Sequence, residues 1–422
     1  MEYIKRIIDA QLEEKLQITG AVLIKGCKLC GKTTTAKKYS KSILEMQNPD
    51  TQENNINLAN TKTSLLLNGV KPRLIDEWQM VPKLWNAVRY SVDLIGLPEQ
   101  YILTGSATPI DDETLHSGVG RFSIINMKPM TLFESGDSNG KISLKDLFEH
   151  NIKIDGIKSD LTFEKLAFLI CRGGWPNSVN MAPDKALKIA QNYIELLVSS
   201  YITEIDGVKR NPELARTILK SYSRQISTID SDKSLIDDVK ANFTEVSDKT
   251  IYEYINHFKL LFIIDEINAW NPNIRSKTVI RTSPKKSFID PSLAAASLTC
   301  TPNDLLMDFN TYGLLFENLV DRDLSVYVSS LGGHLNHYRD NYGLECDSII
   351  RLNNGKYALV EIKLSGNHIE EAEKHLLKLK SLIEEKEPRL GKPELMMIIT
   401  ATDMAYEKES GVLVIPIGCL KD

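Results

Sequence analysis

GCKLCGKT, from Gly26 to Thr33, follows the short apolar run AVLIKG (Ala21–Gly26) and opens KTTTAKKYSKSIL (Lys32–Leu44), which has helical spacing. The octapeptide fits G-x-x-x-x-G-K-[ST]. Glycines let successive backbone N–H groups curl around phosphate oxygens, and a helix starting directly after the loop adds the positive end of its dipole. Lys32 is expected to neutralise the β and γ phosphates of ATP, and the Thr33 hydroxyl to face Mg2+. Gly26, Cys27, Lys28, Leu29, Cys30, Gly31, Lys32, Thr33 and Thr34 are therefore the expected nucleotide-binding positions. Average residue frequencies put chance matches in a chain of this length on the order of 0.01–0.02. Placed between a strand and a helix, the pattern outweighs a plain glycine-rich turn.

Outward from the loop, RLIDE (Arg73–Glu77) and YILTGSA (Tyr101–Ala107) read as two more buried strands, with the helix-like VPKLWNAVRYSVDL between them. Strands alternating with helices imply a parallel sheet covered on both faces, an α/β P-loop NTPase fold. Ligands of such sheets sit at the carboxyl ends of the strands. There Asp76 can join a magnesium shell and Glu77 can polarise water. An apolar run ending in Asp-Glu is weak evidence alone and gains meaning downstream of a P-loop. Thr104 and Ser106 are candidates for sensing the γ-phosphate, against an ordinary polar strand end. Arg121, in HSGVGRF, is the candidate arginine for transition-state charge. Composition alone makes it a surface arginine, and Arg172 in CRGGWP is a weaker candidate of the same kind.

The chain has 422 residues, 42% hydrophobic and 25% charged, enough for two to four conventional domains. No apolar run reaches the roughly 20 residues that span a bilayer. MEYIKRIIDAQLEEKLQ reads as an amphipathic helix, not a signal peptide. Of six cysteines, Cys27 and Cys30 form a C-x-x-C inside the phosphate loop, and no second pair has zinc spacing. Reduced thiols and a cytoplasmic location are expected. The net charge of −5 excludes a global basic field. A local one exists in RSKTVIRTSPKK, where Arg275, Lys277, Arg281, Lys285 and Lys286 would suit DNA phosphates. A solvated hairpin is the competing reading. Asn48–Asn60 reads as a loop. Residues 136–208 turn helical and look like a lid. Within 209–300, VSDKTIYEYINHFKLLFIIDEI fits half of a winged helix-turn-helix, with Ser247 capping its helix and an apolar strand following.

GCKLCGKTT, PRLIDEWQ, YILTGSATP, HSGVGRF, RGGWP, AWNPNIRSK, DPSLA, LLFENLV followed by RDL, and LECD with VEIKL occur in this order. Together they resemble a bacterial and archaeal family of AAA+-type ATPases with a C-terminal domain of uncharacterised function. The resemblance runs from about Leu16 to Asp422. It implies an AAA+ core over 1–135, a winged-helix segment, and a terminal domain over 301–422 like the PD-(D/E)XK nucleases. It carries the ATP roles onto Lys32, Thr33, Asp76 and Glu77 and suggests Arg121 as the arginine finger. The polar segment between the P-loop helix and RLIDE departs from the family in being short.

The residues at the C-terminal end agree with that fold order: a helix, three strands, a helix and a strand. Nuclease sites of this kind hold Mg2+ with carboxylates while a lysine orients water. Asp347 lies on the second strand. Glu361 and Lys363 share a face of the third, by the two-residue period. Glu317 on the preceding helix could complete the shell, and Glu345 shares a face with Asp347. Competing readings are a nuclease fold kept as a binding platform and a solvated charged strand. The expected function is an ATPase that controls a DNA-binding, nuclease-like region. The alternative is a nucleotide-dependent regulatory or assembly switch, with homo-oligomerisation open. A small-molecule kinase would leave the C-terminal half unexplained.

Overall fold

The computed structural model describes residues 3–107, 118–203, 207–273, 282–340 and 342–422. The chain divides into two compact units. Unit one comprises Met1–Pro129, Ser199–Arg210 and Asn256–Ile263. Unit two comprises Met130–Val198, Asn211–Ile255 and Ile264–Asp422.

Unit one is built on five parallel strands, β1 (Ala21–Lys25), β2 (Ser42–Glu45), β3 (Arg73–Asp76), β4 (Tyr101–Gly105) and β5 (Phe122–Asn126), in the order β2-β3-β4-β1-β5. The three strands expected from apolar runs are β1, β3 and β4. Two strands were not expected. KSIL, expected within the helix after the P-loop, lies outside it: that helix, α2 (Lys32–Tyr39), stops at Tyr39, and Ser42–Glu45 forms edge strand β2 beside β3. Ile43 on it is 42% exposed, so its burial signal is faint. Asn48–Asn60 is likewise mostly helix, α3 (Gln52–Lys62), with Ala59 alone buried. A polar helix that buries only Ala59 fully, with Ile56 and Leu58 half-buried against the same core, lacks the continuous apolar stripe that marks helices in a sequence. The helix after RLIDE is α4 (Lys83–Ile95), with Pro82 at its N-cap and Leu84, Trp85, Val88 and Val92 facing the core. The N-terminal amphipathic stretch forms α1 (Ile8–Ile18).

Unit two carries a six-stranded sheet in the order β11-β12-β10-β9-β8-β7. Its strands are β7 (Gly333–Arg339), β8 (Glu345–Leu352), β9 (Tyr357–Lys363), β10 (Leu395–Thr400), β11 (Tyr406–Glu407) and β12 (Leu413–Pro416). β7, β8 and β9 form an antiparallel meander, while β9, β10 and β12 run parallel. Helix Ile369–Lys386 makes the β9-to-β10 crossover and buries Leu376, Leu379 and Ile383 against Leu359, Met396 and Ile398. Helix Phe309–Ser330 precedes the sheet. The short strands β6 (Ile142–Ser143) and β13 (Leu420–Lys421) pair with each other. Ser247 does cap the helix Asp248–Leu260, accepting from Thr250 N–H at 3.1 Å. The apolar residues after that helix form isolated bridges instead of the expected strand: Ile264 with Phe288 and Ile267 with Lys285.

Candidate functional site

The loop Gly26–Gly31 leaves β1 at its carboxyl end and feeds α2. Gly26 lies so close to the Met127 carbonyl that a Cβ would sit 2.1 Å from its oxygen. Gly31 adopts φ +104°, which L side chains rarely do, and turns the chain into the helix. Lys32 is 4% exposed, and its ammonium donates to the Cys27 carbonyl at 2.8 Å, folding back over the loop. Cys27 and Cys30 are fully buried beneath it. Burial pushes the Cys30 thiol up, but the Cys27 thiol and the Lys32 and Arg6 charges outweigh it and bring it to about 6. Lys28 lies 3.7 Å from the centre of the Tyr201 ring. Leu29 and Thr34 face outward.

β3 brings its acids to the same end of the sheet. Thr33 Oγ1 donates to Asp76 Oδ1 at 2.7 Å, and Thr104 Oγ1 donates to the same oxygen at 2.6 Å. A hydroxyl and a carboxylate oxygen in contact form a hard-oxygen donor set that fits Mg2+. Glu77 adopts a left-handed backbone (φ 56°), and its N–H is held by Thr104 Oγ1 at 3.0 Å. Its Oε2 accepts from Ser106 Oγ at 2.7 Å and from the Gln79 amide. Both sensing candidates thus touch the acids: Thr104 holds Asp76 and Ser106 holds Glu77.

Gln79 joins this cluster, although sequence reasoning did not single it out. Its Nε2 binds Glu77 and, at 3.3 Å, Ser106, while its Oε1 is buried without a hydrogen-bond partner. Its only sequence signal was its place two residues after the Asp-Glu pair. Tyr201, distant in sequence, donates to the Ser106 carbonyl at 2.8 Å.

Arg121 is not brought to this cluster. It precedes β5, where Ala21 N–H donates to its carbonyl, and the phosphate loop follows the other end of β1. Five strand steps separate the two ends, roughly 16 Å. Its guanidinium pairs with Asp93 at 2.7 Å. Arg172 is buried and pairs with Asp137 at 2.8 Å within unit two, a structural role.

In unit two, Asp347, Glu361 and Lys363 converge as the strand periods require. Lys363 Nζ lies 3.0 Å from Asp347 Oδ2 and 2.8 Å from Glu361 Oε2. They line an open cleft of about 300 Å³ with Glu345, His375 and Lys378. Burial would lower the Lys363 ammonium, but Asp347 and Glu361 hold it well above its ordinary value. Burial and the Asp347 charge push Glu361 up to about 8 against the pull of Lys363. The expected metal shell of Glu317, Asp347 and Glu361 does not assemble, because Glu317 is paired with Lys285 at 2.8 Å instead. Among the described residues no group of three or more His, Cys, Asp or Glu side chains is arranged to hold a metal ion.

The basic stretch also departs from expectation. Lys285 and Lys286 are 2% and 3% exposed and point inward, Lys286 to the Asp230 carbonyl and Asp232. Neither is offered to a phosphate backbone. Arg275, Lys277 and Arg281 lie outside the described residues.

A phosphate loop on the first of five parallel strands, with an acid pair on the strand two places away, defines a P-loop nucleotide-binding domain. Residues 18–135 match the AAA domain family, residues 163–304 a domain of unknown function (DUF8612), and residues 312–420 a second domain of unknown function (DUF4143). Residues 18–135 therefore form an AAA-type ATPase domain, and residues 312–420 a domain of unknown function. No curated protein matches it. Among solved structures it is similar to the Walker-type ATPase paby2304 of Pyrococcus abyssi, at 16% identity and TM-score 0.42, over 70% of this chain and 96% of that one. A DNA replication initiation factor aligns at 12% identity and TM-score 0.29, over 60% and 86%. The McrB AAA+ hexamers with bound McrC of Thermococcus gammatolerans align at 11% identity and TM-score 0.24, over 70% and 74%. No described helix is long and apolar enough to cross a membrane.

Proposed function

We propose that this chain hydrolyses ATP with Mg2+ at the Gly26–Thr33 loop and uses the nucleotide cycle to control its C-terminal unit, a nuclease-like module whose partner is DNA. The observation that carries the ATP half is the contact of Thr33 with Asp76 beside Glu77, Ser106 and Gln79. Lys32, bonded to the Cys27 carbonyl, would exchange that acceptor for phosphate oxygens when nucleotide enters. Thr33 and Asp76 would hold Mg2+, which when bound offsets charge on the phosphates. Ser106 and Gln79 both bind Glu77 Oε2, which leaves Oε1 to take the proton of the attacking water. The test is phosphate release by wild type, Lys32→Ala and Glu77→Gln, with and without duplex DNA. Both variants are expected to be inactive, and DNA to stimulate wild type. Turnover that survives Lys32→Ala overturns the ATP assignment; indifference to DNA at low salt overturns the DNA assignment.

The second reading is a nucleotide-dependent switch whose nuclease-like domain serves as an interaction surface. The burial of Lys285 among the acids and of Lys286 beside Asp232 favours it. The same assay separates the two: hydrolysis insensitive to DNA but sensitive to protein concentration supports the switch.

A further inference from the structure

An oxygen-ligated divalent cation needs carboxylates that are free to turn toward it. Glu317 and Asp321 stand one turn apart on the helix Phe309–Ser330, on one face, and both side chains are withdrawn from solvent. Between them lies the ammonium of Lys285. Its Nζ is 2.8 Å from Glu317 Oε1, 2.6 Å from Asp321 Oδ2 and 2.8 Å from the Asp347 carbonyl oxygen. The ammonium donates to Glu317 Oε1 and to the Asp347 carbonyl, and Asp321 Oδ2 stands against it as an ion pair. Main-chain bonds to Ile267 in both directions, 2.8 and 3.0 Å, hold the residue in place. The remaining carboxylate oxygen of Asp321 accepts from Ser348 Oγ at 2.6 Å, so the cluster is closed on that side too. A lysine with a side chain 2% exposed gives up its hydration entirely, and only close acid partners offset that cost.

We propose that Lys285 is a built-in counter-cation, holding the acidic cluster beneath the C-terminal cleft free of metal. Its ammonium neutralises Glu317 and Asp321 where a divalent ion would otherwise bridge them. Glu317 is then unavailable to join Asp347 and Glu361 in a metal shell. This goes beyond the ATPase reading and is independent of it, since it concerns cation binding alone.

The test titrates nucleotide-free full-length protein with Mn2+, following the free-ion paramagnetic resonance signal and the melting temperature. Wild type and Glu317→Gln are expected to take up Mn2+ equally. Lys285→Met, with a similar volume and no charge, should bind one more Mn2+ per chain and melt higher with Mn2+ than with chelator. Adding Glu317→Gln to it should remove that gain, and Lys285→Arg should bind no more than wild type. Wild-type uptake that Glu317→Gln abolishes overturns the proposal, as does a folded Lys285→Met that gains no ion. Should Lys285→Met fail to fold, the wild-type and Glu317→Gln comparison decides the matter. A silent ATPase or an absence of DNA cleavage leaves these outcomes unchanged.

Discussion

Single side chains do most of the chemistry proposed for the nucleotide site, and Gln79 is the sharpest case. Its amide N–H donors hold Glu77 and Ser106, and its carbonyl oxygen is buried beside them without a partner. A buried acceptor left unpaired costs free energy unless a ligand or water fills it. A water admitted beside Glu77 during the nucleotide cycle would find its acceptor in that atom. Gln79→Ala is expected to lower kcat about 10- to 100-fold while KM for ATP stays near wild type, since water positioning acts on the transition state. Steady-state phosphate release checks it, and an unchanged kcat would remove Gln79 from the mechanism. Asp76 and Glu77 were legible in the sequence as an acid pair ending an apolar strand. Gln79 was not, because nothing in W-Q-M marks which way an amide turns after a left-handed Glu77.

Among secondary-structure elements, three motifs that follow the P-loop domain build one buried joint within unit two. Asp290, which caps the helix Pro291–Ser297, accepts from Gly174 N–H at 2.9 Å and pairs with Arg322 at 2.8 Å. Arg322 also pairs with Asp323 at 2.7 Å, and Asp323 accepts from Leu132 N–H at 2.9 Å. Trp175 donates to Ser292 Oγ at 3.0 Å. R-G-G-W-P, D-P-S-L-A and R-D-L are thus parts of one network of fully buried charges. Gly174 is required there because a Cβ would sit 2.1 Å from the Met130 carbonyl oxygen. Removing one partner of a buried pair strands the other charge. Asp290→Ala is therefore expected to destabilise unit two by about 3–5 kcal/mol, read as a lowered urea midpoint. A midpoint within error of wild type would show that the network contributes little.

For the molecule as a whole, the placement of Arg121 bears on assembly. It stands at the amino end of β5 and the phosphate loop at the carboxyl end of β1, so it does not serve the loop of its own chain. If it acts on ATP, it acts on a neighbouring copy. Arg121→Ala is then expected to lose about 10³-fold in rate. Mixing it with Lys32→Ala should restore activity, since each supplies what the other lacks. A wild-type rate linear in concentration, together with no restoration on mixing, would reduce Arg121 to the surface partner of Asp93.

Local chemistry was enough to read the P-loop, its strand and helix, the acids at the tip of β3 and the strand placement of Asp347, Glu361 and Lys363. Each of these depends on residue types a few positions apart, and a two-residue period or a glycine-lysine spacing expresses that directly. It was silent on β2 and α3, whose edge position and polar surface leave no apolar period. It misplaced Lys285 and Lys286, because a run of bases in a sequence looks the same whether it meets water or acids. Glu317, the nearer acid, lies 32 residues after Lys285, with Asp321 one helical turn further on, and folding alone brought the ammonium between the carboxylates. Charge burial is a property of partners distant along the chain.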